Sequence, residues 1–323
     1  MLVVVEHDRG NLADASREAM AFGRSLHDDG ALVALTIGAK ADGLAEELAA
    51  LGADEVHQAH HDLLGDYGPE AWGETIVQVV RAIEPRLVLA PGTDRGNEGL
   101  AQAAARLDVP MVANCTTIAV DDHGLRVTRV RWGGSLLEEA TSQATVHLAT
   151  VAEHSVDGAT SGPPGRGDIV VFEPELDPTL ARSMVRDRVE REAGITLATA
   201  PVVVGGGRGV GSADGFASLE ALAGLLGGVV GCSRAVTNNG WRNHTDQVGQ
   251  TGTRIAPTVY LACGISGAIQ HWVGAMAAKN IIAINTDPDA NMVTKAGYAV
   301  IGDLHEVVPA ISAEIRRRAS PRA

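Results

Sequence analysis

The sequence predicts an α/β protein of two domains, with an N-terminal α/β sheet that has an antiparallel extension and a C-terminal doubly wound parallel sheet. The first observation behind this prediction is composition. Apolar residues make up 45% of the 323 residues and aromatic residues only 3%, so the core must consist of Ala, Val, Leu and Ile, which is typical of parallel sheets covered by helices. The second is an alternation of short apolar runs with helical patterns, which indicates βαβ units. The third is the chain length, which is sufficient for two cores.

The alternation of strands and helices begins at the N terminus. Each helical pattern has apolar residues three and four positions apart, which predicts one buried stripe. Gly52 is suited to end the second helix, and Pro85 stops the third. The predicted strands are residues 2–5, 31–37 and 87–90, and the predicted helices lie at residues 12–26, 44–52 and 72–83.

After Pro110 the strands follow one another without long helices between them. Asp-Asp-His-Gly at residues 121–124 predicts a hairpin-like turn, so we expect an antiparallel extension of the first sheet. The predicted strands are residues 111–120, 124–132, 144–151 and 169–172, with a flexible loop at 158–167 and a charged helix within 178–194. We place the domain boundary between residues 195 and 196.

The second domain again alternates strands and helices. Each strand ends in a cluster of Gly, Ser, Asn or Asp, so chain reversals and exposed backbone N–H groups collect at one end of the sheet. The predicted strands are residues 201–204, 229–230, 259–262, 281–284 and 299–302. Helices are predicted at 216–226 and after Ser266, where Ile269, Val273 and Met276 share one side of the helix. The last helix leads into a frayed basic tail at 316–323.

Residues 247–303 contain the loops that we expect to form a ligand site. In open α/β sheets, ligands bind where strands end and helices begin, and a helix N-terminus suits a phosphate group. Ser266 is the predicted N-cap of such a helix. The sequence therefore predicts a site for a nucleotide-shaped cofactor.

The glycine-rich turn at residues 205–211 is not a dinucleotide fingerprint. A G-x-G-x-x-G pattern that started at Gly205 would need glycine at position 210, which is Val210. The turn by itself is equally compatible with a simple strand-to-helix reversal. The phosphate-binding pattern G-x-x-x-x-G-K-[ST] and the nucleophile pattern G-x-S-x-G are both absent from the sequence.

Charge and cysteine content exclude several other classes of function. The net charge of −14 disfavours binding to nucleic acid or to an anionic membrane. Three widely separated cysteines without a C-x-x-C pair predict reduced thiols and no zinc site. His57, His60 and His61 are expected in a surface loop without a fourth ligand, so we predict no metal site. No apolar run is long enough to cross a membrane and no signal peptide is recognised, so we expect a cytoplasmic protein without direct membrane insertion.

Five motifs of the C-terminal half are distinctive: Ser233-Arg234, VGQTG at 248–252, GISGAIQH at 264–271, AIN-x-DP at 283–288 and GDL at 302–304. In this order and with this approximate spacing they resemble the FAD domain of the electron-transfer flavoprotein alpha subunit. The similarity is strongest over residues 202–309.

The resemblance implies an FAD site, with the N-terminal domain acting as a scaffold that contacts a beta subunit. It places Arg234 against the flavin ring, His271 near the flavin O2, and helix-terminal N–H groups of residues 266–270 on the ribityl and diphosphate portion. Asn285 and Asp303 match hydroxyl and adenosine contacts. The full predicted cofactor-binding set is Arg208, Ser233, Arg234, Val248, Gly249, Gln250, Thr251, Ser266, Gly267, Ala268, Ile269, Gln270, His271, Asn285, Asp303 and Leu304.

The function that the resemblance implies is electron transfer without chemistry on a bound organic substrate. Such a protein takes electrons from flavin dehydrogenases, such as acyl-CoA dehydrogenases of fatty acid β-oxidation, and passes them to a quinone oxidoreductase. FAD is completed by a beta subunit that holds AMP or a second FAD.

Two alternatives remain open at this point. The segment VTNNGWRNHTD at residues 236–246 is more polar than the mitochondrial type, which leaves room for an electron-bifurcating member that oxidises NADH with its beta subunit. The other alternative is a nucleotide-binding or sensor protein of the same fold without flavin.

Overall fold

The computed structural model describes residues 1–26, 30–121, 123–134, 136–156, 163–186 and 195–319. The chain divides into two compact units, Met1–Glu190 and Arg191–Ala323. The two sheets, one mixed and one parallel, confirm the predicted α/β class. The boundary expected between residues 195 and 196 stays a prediction.

The first unit contains a nine-stranded mixed sheet. Its helices cover the central strands, which are buried on both faces, with one apolar cluster on each side of the sheet. The strands of this unit, nine in the sheet and two in a separate hairpin, are β1 Leu2–Val4, β2 His7–Asp8, β3 Asn11–Leu12, β4 Val33–Ile37, β5 Glu55–Ala59, β6 Leu87–Pro91, β7 Met111–Asp121, β8 Gly124–Arg131, β9 Leu136–Ser142, β10 His147–Val151 and β11 Asp168–Phe172. The helices are α1 Asp14–Ser25, α2 Ala45–Ala50, α3 Pro69–Ile83 and α4 Asp94–Leu107.

The order of strands in this sheet is β11-β5-β4-β1-β6-β10-β7-β8-β9, and β2 and β3 form a separate hairpin. Strands β7, β8 and β9 pair antiparallel, which matches the expected extension. Strand β10 begins at His147, later than expected, and lies parallel between β6 and β7.

Several predictions for the first unit are wrong. His57 lies in β5 and is 5% exposed, with its Nε2 3.0 Å from a carboxylate oxygen of Glu55; it is not in a surface loop. The segment after β6 continues into α4, which the sequence did not assign, and β9 was missed. Among the described residues there is no cluster of side chains that could hold a metal ion. Residues 158–162 of the expected loop and residues 187–194 of the segment expected to contain the charged helix lie outside the described ranges.

The second unit contains a five-stranded sheet in which every pairing is parallel. Its strands are β12 Val202–Gly206, β13 Val229–Cys232, β14 Val259–Cys263, β15 Ile281–Asn285 and β16 Tyr298–Ile301, and its helices are α5 Ala217–Leu225, α6 Arg234–Asn238, α7 Ile269–Ala275, α8 Asn291–Lys295 and α9 Leu304–Ala319. Arg316, Arg317 and Arg318 belong to α9, so the basic segment is helical as far as the structure describes it. No helix in the described ranges is long and apolar enough to span a membrane.

The order of strands in the second sheet is β13-β12-β14-β15-β16. The chain moves from β12 to β13 on one side and then returns to β14 on the other side. The direction of winding therefore reverses between β12 and β14, and such a reversal opens a crevice at the carboxyl ends of the two strands. Apolar clusters cover both faces of the sheet and hold the loops at that end.

Candidate functional site

A cavity of about 710 Å³ lies at the carboxyl ends of the second sheet. Loops that follow all five strands contribute to its wall, and the volume is in the range of cofactor sites. Eleven of the sixteen predicted residues line it: Arg208, Ser233, Arg234, Ser266, Gly267, Ala268, Gln270, His271, Asn285, Asp303 and Leu304. The lining residues that the sequence did not predict are Gly209, Ala235, Asn238, Gly264, Ile265, Thr286, Asp287, Ala290 and Gly302.

Five predicted residues lie outside the wall of the cavity: Val248, Gly249, Gln250, Thr251 and Ile269. The loop that carries four of them nevertheless packs against α7, because the N–H of Gln250 donates to the carbonyl of Gln270 at 2.7 Å. A Cβ atom at Gly249 would press on the same carbonyl oxygen. The loop is therefore adjacent to the cavity through α7.

Close backbone contact between two loops forms the floor of the crevice. The N–H of Gly207 donates to the carbonyl of Cys263 at 2.9 Å, and the N–H of Gly209 donates to that of Gly264 at 3.1 Å. A Cβ atom at Gly207 would overlap the carbonyl oxygen of Gly264. Glycine is required here because the two loops meet with no room for a side chain.

The start of α7 differs from the prediction. The helix begins at Ile269 after Ala268, without a side-chain cap, so Ser266 is not its N-cap. Gly267 has a φ of 77°, which interrupts helical geometry two residues before Ile269. Of the three apolar residues expected on one side, Val273 is buried, whereas Ile269 and Met276 are exposed.

Charge is distributed unevenly along the cavity. Arg208 and Arg234 follow β12 and β13, and within the described residues neither guanidinium has an ion pair or hydrogen bond. Asp287 and Asp303 follow β15 and β16, where each carboxylate accepts from a backbone N–H two residues later at 2.9 Å. At about 4.8 Å per strand, the four steps from β13 to β16 separate the two ends by about 19 Å. The site suits an elongated ligand with a negatively charged or electron-rich group at the arginine end.

Comparison with known proteins explains this arrangement. Residues 1–177 match the model of the "Electron transfer flavoprotein domain", and residues 196–276 match that of the "Electron transfer flavoprotein FAD-binding domain". The electron transfer flavoprotein subunit alpha of Thermoanaerobacterium thermosaccharolyticum is 34% identical over 321 residues, which cover 98% of this chain and 97% of the relative. This chain belongs to the electron transfer flavoprotein alpha-subunit family.

Two further relatives have similar coverage. The electron transfer flavoprotein subunit alpha of Bacillus subtilis is 33% identical over 318 residues, covering 98% of this chain and 97% of the relative. Protein FixB of Bradyrhizobium diazoefficiens is 35% identical over 328 residues, covering 99% of this chain and 89% of the relative. The recognised resemblance is thus confirmed, and it extends over both units of this alpha-subunit family member.

His271 lines the cavity of this family member and is almost completely buried. The imidazole is 6% exposed, and its Nε2 lies 2.7 Å from the hydroxyl of Tyr260. Its Nδ1 is buried as well. Burial lowers the pKa of His271 to about 4, although a hydrogen bond with the Val248 backbone acts in the opposite direction. At neutral pH the ring is therefore uncharged and can offer only a hydrogen bond.

A buried amide holds the loop that contains Thr251. The side chain of Gln247 accepts a hydrogen bond from the hydroxyl of Thr237 at 2.8 Å and donates to the hydroxyl oxygen of Thr251 at 2.9 Å. Because the Thr251 oxygen accepts this bond, its own proton stays available for another acceptor. Thr237 belongs to α6, so the bonds connect this loop with the helix that carries Arg234.

Proposed function

We propose that this chain is the FAD-holding subunit of a heterodimeric electron carrier and that FAD lies in the cavity of the second unit. The observation that carries the proposal is the pair of guanidiniums of Arg208 and Arg234 at one end of the elongated cavity, neither of which has an ion-pair or hydrogen-bond partner among the described residues. An uncompensated cation beside a redox group favours its negatively charged form. Bound FAD supplies the ability to accept and release electrons one or two at a time.

The flavin ring is assigned to the arginine end. There Arg234 lies on the exposed side of the cavity wall and His271 on the buried side. Arg234 acts through its charge, and neutral His271 through a hydrogen bond, which is worth less. The two residues together favour the electron-rich forms of the ring.

The dinucleotide portion is assigned to the middle and the acidic end. Residues 266–270 lie after β14, at the centre of the sheet, with backbone N–H groups suited to phosphate oxygens. Asn285 holds the adjoining turn, since its amide donates to the carbonyl of Ile265 at 3.1 Å and its oxygen accepts from the N–H of Asp287 at 3.1 Å. Carboxylates such as that of Asp303 are suited to hydroxyl groups of a ribose.

The beta subunit is the partner that membership of the alpha-subunit family implies. In the first unit, the turn between β8 and β9 exposes Trp132 and the start of β9 exposes Leu136 and Leu137, with 79%, 55% and 71% of their surfaces accessible. Clustered exposed apolar residues of this size are typical of a protein interface. We assign this hairpin surface to contact with the beta subunit. The AMP or second FAD is bound by the beta subunit and not by this chain.

The electron route is proposed from the same family membership. Flavin dehydrogenases, for example acyl-CoA dehydrogenases, would be the donors, and a quinone oxidoreductase would be the acceptor. The three cysteines of the chain are free and buried, which supports a reducing compartment such as the cytoplasm.

Flavin content and reactivity of the heterodimer test this proposal. The chain is co-expressed with its beta subunit, and the released flavin and nucleotide are quantified before titration with dithionite and with NADH. One FAD and one AMP, reduced by dithionite but inert to NADH, is the result for a carrier. Two flavins per heterodimer together with NADH oxidation would refute the carrier proposal and favour the bifurcating alternative. A colourless heterodimer that takes up no FAD would refute both.

A further inference from the structure

Asn238 shares the wall of the cavity with Arg234 and has no assigned role. It is the last residue of α6, four positions after Arg234, and both side chains line the cavity. Its amide makes no hydrogen bond within the part of the chain that the structure describes. The residue is exposed, so water can satisfy its amide; what singles it out is its place beside Arg234 on the cavity wall.

The spacing of the two residues places them on one face of α6. Side chains four positions apart on a helix have Cβ atoms about 5–6 Å apart, which is the distance at which carboxylate and guanidinium groups pair. A carboxylate at position 238 would therefore neutralise Arg234. Asparagine has nearly the same shape as aspartate but carries no charge, so it leaves the guanidinium uncompensated.

We propose that Asn238 affects the reduction potential of the flavin through Arg234. Because its side chain is uncharged, the positive charge of Arg234 is not neutralised and can act on the flavin. This inference rests on the proposed binding of FAD in the cavity. When the flavin takes up one electron from a reductant, its charge becomes more negative by one unit, and no bond is made or broken in the protein. A second negative charge on α6 would oppose that uptake, while the present amide does not.

The test compares Asn238→Asp with Asn239→Asp in the heterodimer. Asn239 is the next residue, is exposed and lies outside the cavity wall, so both variants change the net charge equally. Flavin content is measured first, and dithionite titrations with a reference dye then give the equilibrium constant for uptake of the first electron. We expect Asn238→Asp to lower this constant about tenfold, equivalent to about 59 mV, and Asn239→Asp to change it less than about twofold.

If Asn238→Asp retains no flavin, a variant with a positive charge at the same position tests the inference instead. Asn238→Lys should raise the equilibrium constant about tenfold, while Asn239→Lys should leave it nearly unchanged. Constants unchanged at position 238, or changed equally at 238 and 239, would overturn the inference while leaving FAD binding intact. Wild-type heterodimer that holds no FAD would overturn the inference together with the proposed function.

Discussion

Replacement of Arg234 by glutamine removes the charge that we assign to the flavin ring and keeps a polar side chain in its place. At about 4 Å, one unit charge stabilises another by about 1 kcal/mol in water and by about 4 kcal/mol at an effective dielectric of about 20. A tenfold change in equilibrium corresponds to about 1.4 kcal/mol or about 59 mV for one electron. Arg234→Gln should therefore lower the potential of the first reduction step by about 40–170 mV. Because the Arg234 side chain is exposed, we expect the lower half of that range.

The assay is a reductive titration of the heterodimer, with Lys279→Gln as the matched control. Lys279 precedes β15 and is exposed, so it lies at the amino end of the sheet, one strand length from the cavity. The control changes net charge equally and should leave the potential within about 10 mV, since exposed charges at that distance are screened. Flavin content should stay at the wild-type level in both variants. An Arg234→Gln variant with full flavin and an unchanged potential would refute the assignment.

Three further substitutions test the site and its support. Gly207→Ala should lower the melting temperature and the FAD content, because its Cβ would overlap the backbone of the neighbouring loop. In the control Gly224→Ala the new Cβ meets no atom within 4 Å, so neither quantity should fall. Equal behaviour of the two variants would contradict the role of the close contact. His271 has a folded pKa of about 4, below its ordinary 6.5, so the unfolded chain takes up a proton first as pH falls. The free energy of unfolding should thus fall from pH 6.5 towards 4, by up to about 3 kcal/mol, and His271→Gln should lose that component in chemical denaturation; an identical pH profile would count against burial. Asn285→Ala should weaken FAD retention in dialysis, since its amide holds the turn after β15, and wild-type retention would remove it from the site.

Much of the second unit could be predicted because its signals are local. Strand, turn and helix follow one another at short range, and parallel pairing brings every strand end to the same edge. Residues as distant in sequence as Arg208 and Asp303 therefore line one cavity. Asn238 was missed because its place depends on α6 continuing one full turn beyond Arg234. A helix of only five residues gives little periodic signal.

The errors arose where long-range pairing or local geometry decides the outcome. His57 lies in a polar stretch, but β5 is buried because it pairs with β4 on one side and β11 on the other. Helix α4 was hidden by its glycines, and its start depends on Thr93, whose hydroxyl accepts from the N–H of Gly96 at 3.0 Å and donates to Glu6 at 2.5 Å. Ser266 failed as an N-cap because the left-handed backbone of a neighbouring glycine moved the helix start.

A crystal structure of the co-expressed heterodimer with its bound cofactor would be the most direct measurement. We predict FAD across the carboxyl ends of β12 to β16, with its flavin ring beside Arg234 and its adenosine beside Asp303. A flavin bound elsewhere on the heterodimer, or bound in the opposite direction with adenosine beside Arg234, would contradict the central claim.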